Sequence, residues 1–200
     1  MISAVILAAG ASTRMGRPKQ LLQLGRKTML EHVIDHVAQA GVGEIILVLG
    51  AHREQIERSI ASYPVSCVFN PHFASGQGSS VAAGATAVDQ AAGGILFMVG
   101  DQPLIPTEFI DRVVAAYRRS DALIVRPANG MPTVFDISLR AELEQLSGDT
   151  GGRQLMDKYR DRMLIVPGCP EAGCSPGTSL DVDTEEDYRR VLAYWDEERE

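Results

Sequence analysis

The chain predicts an α/β fold of three layers, αβα, with helices on both faces of a doubly wound, mostly parallel sheet. Three observations predict it. Apolar runs of strand length alternate with amphipathic stretches of helix length. The early runs are apolar almost without interruption, as strands covered on both faces must be. Residues suited to ligand binding follow directly after those runs, where doubly wound sheets place their sites.

The elements follow in order. The first strand reads "SAVILAA", residues 3–9. "TMLEHVIDHVAQAG" follows as a helix, with Met29, Leu30, Val33, Ile34 and Val37 on one face and Gly41 as its stop. "EIILVLG" (44–50), "VSCVFN" (65–70), "GILFMVG" (94–100) and "ALIVRP" (122–127) read as the next strands. The stretch "REQIERSIASY" is a shorter helix between the second and third. "SSVAAGATAVDQA" is a helix of small residues that can lie close on the sheet. "TEFIDRVVAAYRR" begins after Pro106 with Thr107 as its N-cap. The later pattern is less regular: "TVFDI" and "MLIVP" as strands, "LRAELEQL", "GRQLMDKYR" and "TEEDYRRVLAYW" as helices, and an acidic "WDEERE" end that frays.

Two hundred residues suit one domain, spanning 1–200. A net charge of −7 excludes a nucleic-acid binder, so any anion must meet a local cationic site. No stretch nears the roughly 20 apolar residues of a membrane span. No basic segment precedes the first apolar run, so no signal peptide is expected and the cytoplasm is the expected location. Cys67, Cys169 and Cys174 lack framework spacing and are expected to be structural.

The informative residues are expected directly after the strands: "AAGASTRMG" after the first, "GAHRE" after the second, "NPHFASGQGSS" after the third and "GDQP" after the fourth. "LAAGASTRMGRPKQLL" (7–22) is neither a dinucleotide fingerprint nor a Walker A loop. Its small residues Ala8, Ala9 and Gly10 let a ligand approach the backbone, whose N–H groups can form an anion nest. Arg14 offers a fork for phosphate and Lys19 a mobile point charge. Alone, the loop supports only anion binding. Asp101 in "GDQP" stands just past an apolar strand, a natural place for a Mg²⁺ ligand. Asp183 is the choice for a second metal carboxylate and Asp181 the alternative. Thr184 to Asp187 also read as a capping box.

At these separations "LAAGASTRMGRPKQLL", "GDQP" and "DVDTEEDY" resemble the MobA-like nucleotidyltransferases, nearest the molybdenum cofactor cytidylyltransferase branch. "NPHFASGQGSSVAAG" and "LSGDTGGRQLM" resemble stretches of that branch. The resemblance covers nearly the whole chain and implies the Rossmann-like nucleotide-diphospho-sugar transferase fold. It also implies a reaction: an acceptor phosphate attacks the α-phosphorus of a nucleoside triphosphate, with Mg²⁺, and pyrophosphate leaves. Arg14 would hold the β- and γ-phosphates, Lys19 the α-phosphate, and Asp101 with Asp183 the metal. Leu7, Ala8, Ala9, Gly10, Gly78, Ser79 and Ser80 would read the nucleotide. Ala9 stands where guanylyl-transferring relatives carry glycine, which implies CTP. The implied acceptor is molybdopterin-type, with Arg153 and Asp149 on its side, and a molybdenum hydroxylase is the implied partner. Arg153 also reads as a solvated helix-start residue beside Asp149 and Thr150 as caps. Met131 stands where the branch carries a histidine, which keeps a sugar- or polyol-phosphate acceptor open. A non-catalytic cofactor-binding maturation factor is the alternative of another class. His32 and His36, four apart, read as a pair on a polar helix face, and Cys67 as a core residue of its strand.

Overall fold

The computed structural model describes residues 1–168 and 180–197. In chain order its elements are β1 (Ile2–Ala8), a short hairpin of β2 (Gln23–Leu24) and β3 (Lys27–Thr28), α1 (Met29–Gln39), β4 (Glu44–Leu49), α2 (Arg53–Ser59), β5 (Ser66–Phe69), α3 (Gln77–Ala87), β6 (Gly94–Val99), α4 (Thr107–Arg118), β7 (Ile124–Pro127), β8 (Thr133–Asp136), α5 (Arg140–Leu143), α6 (Arg153–Lys158), β9 (Met163–Val166) and α7 (Glu185–Glu197). Seven strands make one sheet in the order β5-β4-β1-β6-β8-β7-β9. β1 pairs in parallel with β4 and β6, with Val5 opposite both Ile46 and Phe97. β8 alone runs antiparallel, wedged between β6 and β7.

Side-chain alternation builds the outer layers. Ala4, Ile6 and Ala8 of β1 face a core shared with α1, α2 and α4. Val5 and Ala9 face the opposite core, shared with α3, α5 and α6. α3 lies close because its face is small: a Cβ on Gly84 would stand 2.4 Å from Val5 Cγ1. α1 starts on a capping box, where Glu31 N donates to Thr28 Oγ1 at 3.3 Å and Thr28 N to Glu31 Oε2 at 2.7 Å. A third, smaller core of Leu22, Leu24, Met29, Leu104, Val182 and Val191 ties α7 to the hairpin. No helix among the described residues is long and apolar enough to cross a membrane.

Four expectations fail, three through tertiary placement and one through a local turn. β5 is the outermost strand, so Cys67 and Phe69 are exposed and not core. Cys169 and Cys174 lie outside the described residues. His32 does not sit on a polar face: it is 7% exposed, its Nε2 lies 2.7 Å from Leu24 O, and its ring stacks 4.3 Å from Trp195. Thr107 does not cap α4; Pro106 holds that position and the Thr107 hydroxyl donates instead to His36 O. The segment expected as one helix at 139–146 begins as a 3-10 turn at Ile137–Leu139, because Asp136 accepts from Ser138 N at 3.0 Å and starts the turn early.

Candidate active site

The loop after β1 is held open by one buried amide. Gln20 is 2% exposed, and its Nε2 donates to Ala8 O at 3.2 Å and Gly10 O at 3.3 Å. Ser12 takes the left-handed region at φ 51°, its carbonyl accepts from Met15 N and Gly16 N, and its hydroxyl accepts from Lys19 N at 3.1 Å. These bonds satisfy backbone groups that helix or sheet would otherwise satisfy. They leave Gly10 facing free space: a Cβ there would meet nothing within 4 Å. Reading the sequence missed Gln20. Its one signal there is a polar residue leading an apolar "LL".

Lys19 is the hub of the charges. Its Nζ donates to Asp101 Oδ2 at 2.6 Å and to Asp183 Oδ1 at 2.7 Å. Burial alone would push the ammonium pKa down. The charges and hydrogen bonds of Asp101 and Asp183 outweigh it and hold the pKa above the ordinary lysine value. Arg14 Nη1 reaches Asp183 Oδ2 at 3.3 Å from a largely exposed position. Val182 N donates to Asp101 O at 3.2 Å and pins the segment before α7 to the end of β6. Burial, and next the charge of Asp101, push the Asp181 carboxyl up; Gln102 Nε2 donates to it at 2.5 Å.

The donor set suits a hard divalent cation. Asp101 Oδ1 is buried with no donor among the described residues. Asp183 stands within one ammonium's reach of the same carboxylate. Among the described residues no three His, Cys, Asp or Glu side chains gather as a complete cage. Mg²⁺ binds in that manner, through one or two carboxylates with substrate phosphates supplying the rest.

Two cavities meet beside this cluster. The first, about 360 Å³, is lined by Ala9, Gly10, Lys19, Ser80, Asp101 and Asp149 among others. The second, about 260 Å³, has Phe97, Phe135, Met131 and Met156 on its walls with Arg126 and Arg153. Leu7, Gln77 and Val99 line both, so the chambers share a wall. Phe97 and Phe135 pack edge to face at 5.8 Å.

The expected site residues divide accordingly. Leu7, Ala9, Gly10, Lys19, Ser80 and Asp101 come together at the first chamber. Ala8 is buried in the core and reaches the site only through its carbonyl. Gly78 and Ser79 line neither chamber. The Gly78 N–H donates to Gly148 O at 2.8 Å, and Ser79 Oγ accepts from Asn70 Nδ2 at 2.9 Å and faces His72 O and Gly76 O. Asn70, 2% exposed, also donates to Ser80 Oγ at 3.0 Å and fixes that hydroxyl at the chamber wall. Asp149 lines the first chamber rather than sharing the second with Arg153. Asp149 and Thr150 do not cap α6, whose N-cap is Gly152. Asp181 lines the second chamber while Asp183 contacts Lys19.

Comparison with known proteins identifies the family. A model of the MobA-like NTP transferase domain matches residues 4–163. Nicotine blue oxidoreductase of Paenarthrobacter nicotinovorans is 32% identical over 96% of both chains. Among solved structures, Rv0371c of Mycobacterium tuberculosis H37Rv superposes with a TM-score of 0.80 at 33% identity, covering 96% of this chain and 97% of that one. A further structure of Rv0371c is a complex with manganese, 32% identical with a TM-score of 0.76, covering 96% and 98%. A nucleotidyl transferase from Methanothermobacter, Mth528, gives 0.84 at 25% identity over 99% of both chains. The chain belongs to the MobA-like family of nucleotidyltransferases.

Proposed function

We propose that the protein transfers a cytidylyl group from CTP to the phosphate of a molybdopterin-type acceptor, with Mg²⁺ and release of pyrophosphate. The carrying observation is the pair of chambers that share the wall of Leu7, Gln77 and Val99, with Lys19 and Asp101 at the first. Two substrates brought to one wall need little further catalysis than alignment and neutralised charge. The triphosphate enters the first chamber. Lys19 turns from its carboxylates toward the α-phosphate, and Arg14 leaves Asp183 for the β- and γ-phosphates. Asp101 and Asp183 would hold Mg²⁺, which when bound neutralises phosphate charge and polarises the α-phosphoryl group. The acceptor oxygen then bonds to the α-phosphorus as the bond to the pyrophosphate oxygen breaks.

Ala9 at the wall of the first chamber supports the smaller pyrimidine base. The aromatic and thioether walls of the second chamber support a planar ring over a sugar or polyol, which needs many hydrogen-bonding partners. Met131 belongs to those walls, in place of the branch's histidine. The oxidoreductase relative raises hydride chemistry, but the lysine between two carboxylates at a strand end suits phosphate, and no dinucleotide fingerprint follows β1. A molybdenum hydroxylase is the natural recipient of such a product. The test is thermal stabilisation by CTP, GTP and UTP with Mg²⁺, followed by pyrophosphate release with a molybdopterin acceptor. CTP should stabilise most and release should follow. Stabilisation by GTP alone refutes the base assignment. CTP binding with no release from any acceptor favours a carrier over an enzyme.

A further inference from the structure

Ser79 and Ser80, side by side near the start of α3, meet the same buried amide, and the protein uses up only one of the two hydroxyls. Asn70, just past β5 and 2% exposed, accepts from His72 N at 2.9 Å through its Oδ1. A backbone N–H only donates, so the amide oxygen must face it and the amide nitrogen must face the serines. That nitrogen donates to Ser79 Oγ at 2.9 Å and to Ser80 Oγ at 3.0 Å. Each hydroxyl therefore accepts from Asn70 and has its own proton to place. Ser79 has two carbonyls in reach for it, His72 O at 2.8 Å and Gly76 O at 2.9 Å. The Ser80 proton meets no acceptor among the described residues. Ser80 is 5% exposed and lines the first chamber, so the acceptor must belong to what fills that chamber. A donor left unpaired once a ligand has displaced water is costly. A ligand with an acceptor at that point is favoured over one with a donor there.

We propose that Asn70 makes the first chamber read cytosine rather than uracil. By donating to Ser80 Oγ it leaves that hydroxyl's proton to the ligand, where N3 of cytosine accepts it. Uracil carries an N–H at the same ring position and would set a donor against a donor. Asn70 touches no ligand and acts through Ser80, so it is a positioning residue. The inference rests on the reading of the first chamber as the nucleotide's.

The test is calorimetric titration of the whole protein, with Mg²⁺, by CTP, by UTP and by tripolyphosphate, which has the charges without a base. The wild-type protein should prefer CTP to UTP at least about tenfold. Ser80→Ala removes the donor. CTP affinity should fall about tenfold, UTP affinity should change less than about twofold, and tripolyphosphate should bind as before. Asn70→Asp keeps the size and the bond from His72 N, but its carboxylate only accepts. The Ser80 proton then turns to the carboxylate, and the hydroxyl shows the chamber its lone pairs. The added charge weakens all three ligands alike, so the ratio of CTP to UTP affinity is the readout, and it should fall at least about tenfold. Ser80→Ala remains informative if the buried carboxylate of Asn70→Asp prevents folding. A ratio unchanged in Ser80→Ala overturns the proposal. So does a loss in Ser80→Ala that tripolyphosphate shares, which would make the serine structural. A wild-type protein that prefers CTP and keeps that preference in Asn70→Asp overturns the role of Asn70 alone. A wild-type protein that binds CTP no more tightly than tripolyphosphate has no base subsite, and there the nucleotide reading itself fails and takes the proposal with it.

Discussion

Around the first chamber the walls are backbone and short polar side chains already engaged with protein; around the second they are long side chains with few partners. Gln20 and Asn70 are each 2% exposed, and between them they fix Ala8, Gly10 and Ser80. Met131 of the loop before β8, Arg126 of β7, and Arg153 and Met156 of α6 instead line the second chamber. The first chamber has its shape before a ligand arrives. The second has methionine and arginine walls, whose long side chains can repack around what enters. The sheet explains the division. The first chamber lies where β4, β1 and β6 run parallel, so their loops gather at one end. The second lies beside antiparallel β8 and short β7, where the topology permits more variation.

The largest effect is expected at the boundary. Asp101→Ala removes the carboxylate that Lys19 contacts at 2.6 Å. Pyrophosphate release should fall by about 10²–10³. The variant should still fold. Turnover within tenfold of wild type would mean that the reaction does not occur where the chambers meet.

Rigidity against adaptability can be tested by a matched pair. Gln20→Leu strands the carbonyls of Ala8 and Gly10 without their donor. It should cost about 1–3 kcal/mol in urea unfolding and raise the CTP KM. Met156→Leu, in the second chamber, should cost less than about 1.5 kcal/mol and leave the CTP KM unchanged. Equal losses would erase the distinction. Gly78→Ala tests the close packing of α3 on the 147–152 segment, which lines both chambers. A Cβ there would stand 2.6 Å from Ser147 O, so α3 and the 147–152 segment must part. A loss of about 1–3 kcal/mol with both substrate KM values raised is expected from chemical denaturation and kinetics.

The same division governs what was legible in the sequence. Local patterning carried β1, β4 and β6, because strands covered on both faces have no polar side to disguise them. Lys19 and Asp101 were legible because the loops after such strands converge by topology. "VSCVFN" was read correctly as a strand, but the burial of Cys67 was misjudged because an edge position is a property of the whole sheet. Gln20 was missed, and Ser79 was given a place at the nucleotide, because their roles depend on partners: Gln20 reaches back to Ala8, and Ser79 is held by Asn70. No residue type announces such a bond. Asp149 was placed with Arg153 by the family resemblance of the "GDTGGR" segment, yet the two residues line different chambers.

The smallest effect is expected at the start of α7, which holds Asp183 in reach of Lys19. Asp187 Oδ2 accepts from Thr184 N at 2.9 Å, from the Thr184 hydroxyl at 2.7 Å and from Asp183 N at 3.3 Å. Asp187 N donates back to Thr184 Oγ1 at 3.2 Å, which completes the capping box. The hydrogen bonds from Thr184 lead in holding the Asp187 carboxyl below its ordinary value of 3.8. The folded state therefore favours the charged form, and this contribution is complete above the unfolded value. It is lost as pH falls through the folded one. Asp187→Ala should lower Tm slightly at pH 7, and the gap to wild type should close as both are taken from about pH 4 toward pH 2.5. CTP binding with Mg²⁺ should weaken no more than about threefold, because Val182 N still anchors the segment to Asp101 O. A gap that widens on acidification would show that Asp187 is protonated in the fold, and that something other than this cap holds Asp183 at the chamber.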